Sequence, residues 1–311
     1  MEDSGHKPVL LKETLELIAP KPGGVFFDGT VGGGGHSCAI LRESSPDGIL
    51  YGCDRDGEEL IRTEKRLKSV FRERCQLRYG NYSEVKTLFP GILFDGALLD
   101  LGCSSMQMDQ KERGFSFSGE AVLDMRMDRQ GGGVTAADII NSYEEEELSR
   151  IFFEYGGESQ SRRLARIIVQ ERGQRPFRTT RQLAELIERR VPRRGKKIHP
   201  ATKVFQALRI EVNTEFEHLR RGLESLLEVI KSGGKLAVIT FHSGEDRIVK
   251  EFGKFWARDY IFEGEVDIPE LRRWRSPVLR VITRKPIEPS DEELAKNPRS
   301  RSAKLRVYEK L

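Results

Sequence analysis

Cysteine is scarce and scattered: Cys38, Cys53, Cys75 and Cys103 are the four in 311 residues, and no two form a C-x-x-C pair. That speaks against a zinc knuckle and against a disulfide framework, and it predicts a reduced, cytoplasmic setting. No apolar run reaches the roughly 18 residues that a bilayer-spanning helix needs. The start, Met1-Glu2-Asp3-Ser4, has neither the basic nor the apolar part of an export signal, so secretion and a membrane partner are not expected. Charge of one sign is lacking as well. Charged residues make up 33% of the chain, yet the formal net charge is only +4, so the overall balance names no partner. Internal repeats and long low-complexity tracts are absent too.

What the chain does have is glycine in one place. Phe26-Phe27-Asp28-Gly29-Thr30-Val31 runs straight into Gly32-Gly33-Gly34-Gly35-His36, an apolar strand that ends in a carboxylate and turns where backbone must approach a ligand closely. A second apolar run, Gly48-Ile49-Leu50-Tyr51-Gly52-Cys53, ends in Asp54, roughly 20 residues on, where a carboxylate can accept hydrogen bonds from ribose hydroxyls. Glycine turns of this kind serve nicotinamide dinucleotides and S-adenosylmethionine alike. The dinucleotide pattern G-x-G-x-x-G fails in both registers, meeting Ser37 from Gly32 and Cys38 from Gly33. The balance therefore favours S-adenosylmethionine, with a nicotinamide oxidoreductase and a non-catalytic RNA-binding factor as the alternatives.

The period of the pattern predicts a helix over 8–18, strands near 25–28, 49–54, 76–79 and 94–100, and helices between them. This alternation is the signature of an α/β fold, a Rossmann-like doubly wound sheet whose ligands bind beyond the carboxyl ends of the strands. Asp28, Asp54, Asn81 and Asp100 would converge there. After Gly102 the strands stop, and residues 105–205 read as an inserted helical subdomain between sheet-forming segments 1–104 and 206–311. Strand character resumes at Gly234–Phe241, after an amphipathic helix over Phe216–Ile230. The runs Val278–Thr283 and Leu305–Tyr308 are expected as edge strands, antiparallel to the rest.

Several blocks resemble one family closely. They are Asp28-Gly29-Thr30 with Gly33-Gly34-Gly35-His36-Ser37, Leu99-Asp100-Leu101-Gly102, Arg113-Gly114-Phe115-Ser116-Phe117 and Leu123-Asp124-Met125-Arg126-Met127-Asp128. Later come His199-Pro200-Ala201-Thr202, Phe205-Gln206-Ala207-Leu208-Arg209-Ile210, Phe241-His242-Ser243 with Glu245-Asp246-Arg247, and Asn297-Pro298-Arg299-Ser300-Arg301-Ser302. In this order, across nearly the whole chain, they are similar to the bacterial 16S ribosomal RNA cytosine-N4-methyltransferases (the RsmH, or MraW, family). The resemblance implies methyl transfer from S-adenosyl-L-methionine to the exocyclic amine of a cytidine in the decoding centre. It implies 16S rRNA within the small ribosomal subunit as partner, and it leaves room for a homodimer. It further implies a substrate-recognition role for the helical insertion. Carried onto this sequence, the cofactor contacts are Gly34, Gly35, His36, Asp54, Tyr82, Asp100 and Gln107, with no metal.

A cytosine amine is a poor nucleophile, because its lone pair is delocalised into the ring. The catalyst must mainly hold the amine in line with the methyl group and accept its developing positive charge. Asp100 is the candidate acceptor, and His242, after the fifth strand, is the second candidate catalytic residue. Cys103 offers the competing chemistry of a thiol adding to the ring, although a cysteine beside a strand is more often a small buried hydrophobe. Asp124, Arg126 and Asp128 read equally well as an internal ion-pair network. Three basic clusters suit a phosphate backbone: Arg189 to Lys197 with six cations in nine positions, Arg272, Arg273 and Arg275 around Trp274, and Arg299, Arg301, Lys304 and Arg306. Of these, Arg193, Arg194, Lys196 and Lys197 are the leading phosphate anchors.

Overall fold

The computed structural model describes residues 8–104, 107–108, 110–117, 119–191, 199–262 and 266–311. The chain divides into two compact units, Met1–Gly102 with Phe216–Leu311, and Cys103–Glu215.

In the first unit the strands are β1 (Val25–Asp28), β2 (Ile49–Asp54), β3 (Cys75–Tyr79), β4 (Phe94–Asp100) and β5 (Ile230–Thr240). They are followed by β6 (Tyr260–Phe262), β7 (Arg272–Trp274), β8 (Leu279–Val281) and β9 (Lys304–Lys310). Seven of them form one sheet in the order β3-β2-β1-β4-β5-β9-β8, while β6 and β7 pair as a separate ribbon. Strands β1 to β5 pair in parallel. The chain steps outward from β1 to β2 and β3, then returns to the other side for β4 and β5. This reversal makes the sheet doubly wound and sets its switch point between β1 and β4. Consecutive apolar residues at the centre of the sheet are buried, as in Phe26-Phe27 and Leu98-Leu99, because both faces of the sheet are covered there. Each such side chain contributes about 1.5–3 kcal/mol by burial.

The C-terminal runs differ from expectation in one respect. Both are antiparallel, but β9 lies inside the sheet between β5 and β8, and only β8 is at the edge. Leu305 and Val307 are fully buried, and Arg306 between them is only 6% exposed because Asp246 neutralises it. A buried partner makes this charged residue tolerable in an interior strand.

In the second unit the helices Ala136–Ser142, Glu145–Glu154, Ser161–Gln174, Thr180–Arg190 and Thr202–Val212 surround a core that includes Phe152, Leu164, Ile168, Leu183 and Leu208. Their starts carry reciprocal caps, Thr135 with Asp138 and Thr179 with Gln182, which satisfy backbone amides left over in the first turn. The helix Thr202–Val212 belongs wholly to this unit because Val204, Phe205 and Leu208 pack into its core. The expected return to the sheet segment at 206 falls inside this helix. Among the described residues, no helix is long and apolar enough to cross a membrane.

Candidate active site

The site is built on the β1 exit loop. Asp28 ends β1 almost completely buried, accepting hydrogen bonds from Ser37 Oγ at 2.6 Å and the Thr30 amide at 3.1 Å. The glycines that follow answer to packing. Gly34 has φ +68°, and a Cβ there would fall 2.6 Å from Thr63 Cγ2; one on Gly35 would fall 2.4 Å from Pro8 Cγ. The carbonyls of Gly32 and Gly33 accept from Thr63 Oγ1 and the Arg66 guanidinium, so the helix Gly57–Phe71 holds the loop from outside. His36 lies in the first turn of the helix Gly35–Glu43, 6% exposed.

Two further carboxylates end neighbouring strands. Asp54, at the end of β2, accepts the Gly32 amide at 2.7 Å and the Asp56 amide at 2.8 Å, which ties it to the glycine loop. Burial raises its pKa to about 6 against the pull of those two amides. Asp100, at the end of β4, donates its own amide to Thr30 Oγ1 at 2.6 Å. Its Oδ2 is 3.7 Å from His36 Nε2, whereas Oδ1 is buried with no hydrogen-bond partner. Burial, then the negative charges of Asp28 and Glu245, push the Asp100 carboxyl up to about 8. A half-buried acid on a switch-point strand, held near neutral pH and with an unused oxygen, is poised to accept a proton or face a cation.

Beyond β5, His242 caps the helix Ser243–Trp256. Its Nδ1 accepts the Glu245 amide at 3.4 Å, so in the neutral ring the proton sits on Nε2. Glu245 is 2% exposed; its Oε2 accepts the amides of Phe241 at 2.8 Å and His242 at 3.3 Å, and Oε1 is 3.1 Å from His242 Nε2. This buried carboxylate fixes the turn that carries His242. Sequence reasoning noted it only as a neighbour, although the spacing His242-x-x-Glu245 is a capping-box signal.

The model of the MraW methylase family matches residues 3–311. The chain belongs to the MraW methylase family. It is 49% identical to "Ribosomal RNA small subunit methyltransferase H" of Syntrophotalea carbinolica, over 98% of this chain and 98% of that protein. It is 47% identical to the proteins of the same name from Citrifermentans bemidjiense, over 100% of each chain, and Symbiobacterium thermophilum, over 98% of this chain and 96% of that one.

The remaining residues singled out in this MraW methylase sequence fall in varied surroundings. Asn81 caps the turn at Tyr82–Glu84 through the Ser83 amide, at 2.9 Å. Tyr82 is 8% exposed, and its ring lies where a Cβ on Gly222 would come within 2.3 Å of Cδ2. Gln107 belongs to the second unit, where its Oε1 accepts the Ser104 amide and its own amide donates to Ser104 Oγ, both at 3.1 Å. In the same unit Arg209 binds Glu215 through two nitrogens at 2.9 Å and approaches Cys103 Sγ at 2.9 Å. Asp124 takes Arg126 in a two-point pair at 2.8 and 3.0 Å, while Asp128 accepts the amides of Gln130 and Gly131. Arg189 and Arg190 end a helix. Arg193, Arg194, Lys196 and Lys197 lie outside the described residues. Of the last basic cluster, Arg306 is removed from any docking role, because both its Nε and Nη2 are committed to Asp246.

Proposed function

We propose that this chain is an S-adenosylmethionine-dependent methyltransferase that modifies the exocyclic N4 amine of a cytidine in 16S ribosomal RNA, acting in the cytoplasm on the small ribosomal subunit. Full-length membership of the family and the name shared by its relatives support the reaction class and the RNA. The observation that carries the assignment of roles is the unpartnered, buried Oδ1 of Asp100 at the switch point. The donor set also suits the cofactor, since three carboxylates at strand ends favour a ligand that is cationic at its centre and carries ribose hydroxyls.

In this reading Asp54, already oriented by two backbone amides, uses its remaining lone pairs for the ribose. Gly34, Gly35 and His36 border the ligand, and Tyr82 gives an aromatic wall for adenine. Bound S-adenosylmethionine supplies a methyl group that is already strongly electrophilic. Asp100, ionised, would accept a hydrogen bond from the cytosine amine and orient its lone pair, and would take the proton that the amine loses when it gains the methyl group and the sulfonium departs as a neutral thioether. His242, its ring held by Glu245, borders the base. The helical unit Cys103–Glu215 serves substrate recognition, and a homodimer is compatible with this scheme.

Nucleoside mass spectrometry of small subunits incubated with the protein and S-adenosylmethionine tests the proposal. N4-methylcytidine is expected. The appearance of 5-methylcytidine, or tight NADH binding without any methyl transfer, would overturn it.

A further inference from the structure

The sheet carries one basic segment to the ligand side. Asp100 pairs with Ile239 on β5, and Ile239 with Leu305 on β9, so the three stand in one row across the sheet. Neighbouring strands lie about 4.8 Å apart, which puts the backbone at Leu305 on the order of 10 Å from Asp100. Because β9 runs antiparallel to β5, the residues before Leu305 project past the carboxyl ends of β4 and β5, on the side where His242 follows Thr240. Thr240 Oγ1 donates to the Lys304 carbonyl at 3.4 Å. The turn Pro298–Ser302 that leads into β9 is pinned from inside. Ser300 is fully buried with its Oγ donating to the Asn297 carbonyl at 2.8 Å, and Leu305 exchanges backbone hydrogen bonds with Ile287 at 2.9 and 3.0 Å. Arg299 and Arg301 point outward from this fixed turn, exposed, with Lys304 half-buried beside them.

We propose that Arg301 and Lys304 anchor the RNA phosphates that flank the target cytidine, fixing the strand while its base reaches Asp100. The proposal rests on the ribosomal RNA reading above. A base taken out of its stack for chemistry must be held by contacts to its own backbone, and such contacts position without reading sequence. Charge complementarity supports the same occupant, since residues 294–308 hold five cations and no acid. Two of the five are committed, Lys296 to Glu292 and Arg306 to Asp246. Of the acids on the preceding stretch, Glu292 thus holds Lys296 and Glu293 accepts the Leu10 amide at 2.8 Å, while Glu288 and Asp291 stand earlier in the chain. The basic cluster of the β6–β7 ribbon is occupied with its own fold, for Asp267 holds Arg272 and Arg275 donates to the Arg258 carbonyl. A turn already rigid before binding also loses little freedom when it meets a phosphate.

Single-turnover methylation of small ribosomal subunits, titrated across a salt series, separates the apparent Kd from the maximal rate. Arg301→Gln combined with Lys304→Gln should flatten the dependence of log Kd on log salt by about 1.4, at about 0.7 for each lost single-strand phosphate contact. At 0.1 M salt that corresponds to about 25-fold weaker binding, with the maximal rate kept within a few-fold and S-adenosylmethionine affinity unmoved. Arg301→Lys with Lys304→Arg keeps both charges and should keep the slope. Arg284→Gln with Lys285→Gln is the control: both are exposed, but they precede Ile287 on a run toward the carboxyl edge and so lie short of the Asp100 row. Unchanged affinity and slope in the first variant overturn the anchor and leave the enzyme assignment standing. So does an equal loss in the control, or a loss that the charge-keeping exchange fails to restore. Failure of the unaltered protein to methylate the subunit while it binds S-adenosylmethionine sinks the ribosomal RNA reading itself, and the anchor with it.

Discussion

Asp100 Oδ2 sits 3.7 Å from His36 Nε2, and its other oxygen is sealed from solvent without a hydrogen bond. The two residues come from opposite sides of the switch point, one ending β4 and the other opening the helix after β1. A carboxyl in that position resists ionisation until something cationic enters.

A first consequence is a pH dependence of stability. The Asp100 carboxyl is raised from 3.8 to about 8 in the folded chain. Between those values the folded state holds a proton that the unfolded state has lost, so this group's contribution is full below about pH 4 and disappears as pH rises through 8. Thermal unfolding without ligand should therefore show a Tm that declines over this window, and Asp100→Asn should flatten the decline. An equally steep decline in the variant would place the effect elsewhere.

Ligand binding should reverse this proton uptake. With Asp54 at about 6 and Asp100 at about 8, a cationic sulfonium beside them favours both ionised forms. S-adenosylmethionine affinity should rise from pH 5 to 8 with release of protons, measured by calorimetry in buffers of different ionisation enthalpy. Asp54→Ala should weaken binding by about 1.5–3 kcal/mol, or one to two decades. It should also lower Tm, since the Gly32 and Asp56 amides lose their acceptor.

Chemistry should depend on Asp100 and not on Cys103. Asp100→Asn keeps the shape and loses the base, so single-turnover methylation should fall about a hundredfold or more. Cys103→Ala should remain within a few-fold of the unaltered protein, whereas a covalent RNA adduct through Cys103 would reverse the assignment.

Glu245 gives a prediction that a merely structural role would not move. Its charge helps raise the Asp100 carboxyl, after burial and Asp28, while His36 is the other titratable group facing it. Glu245→Gln keeps an acceptor for the Phe241 and His242 amides, but removes that charge. The acid limb of the methylation pH profile should shift to lower pH. A pure loss of rate with an unmoved profile would limit Glu245 to holding the turn.

Much of this was already written in the order of residues. Apolar runs ending in Asp28, Asp54 and Asp100 fixed three parallel strands and the carboxylates at their tips, because strands buried on both faces must be continuously apolar and ligand-facing groups then fall at their ends. The same order of blocks carried the family likeness. Local pattern could not reach what depends on partners distant in the chain. Whether Arg306 was a surface cation or a buried one turned on Asp246, 60 residues away, and the interior place of β9 turned on its pairing with both β5 and β8. Gly34 and Gly35 looked like concessions to a ligand, but their immediate constraints are Thr63 and Pro8. The proton affinity of Asp100 belongs to no motif at all, since it arises from desolvation and from Asp28 and Glu245, charges that only the folded sheet brings within reach.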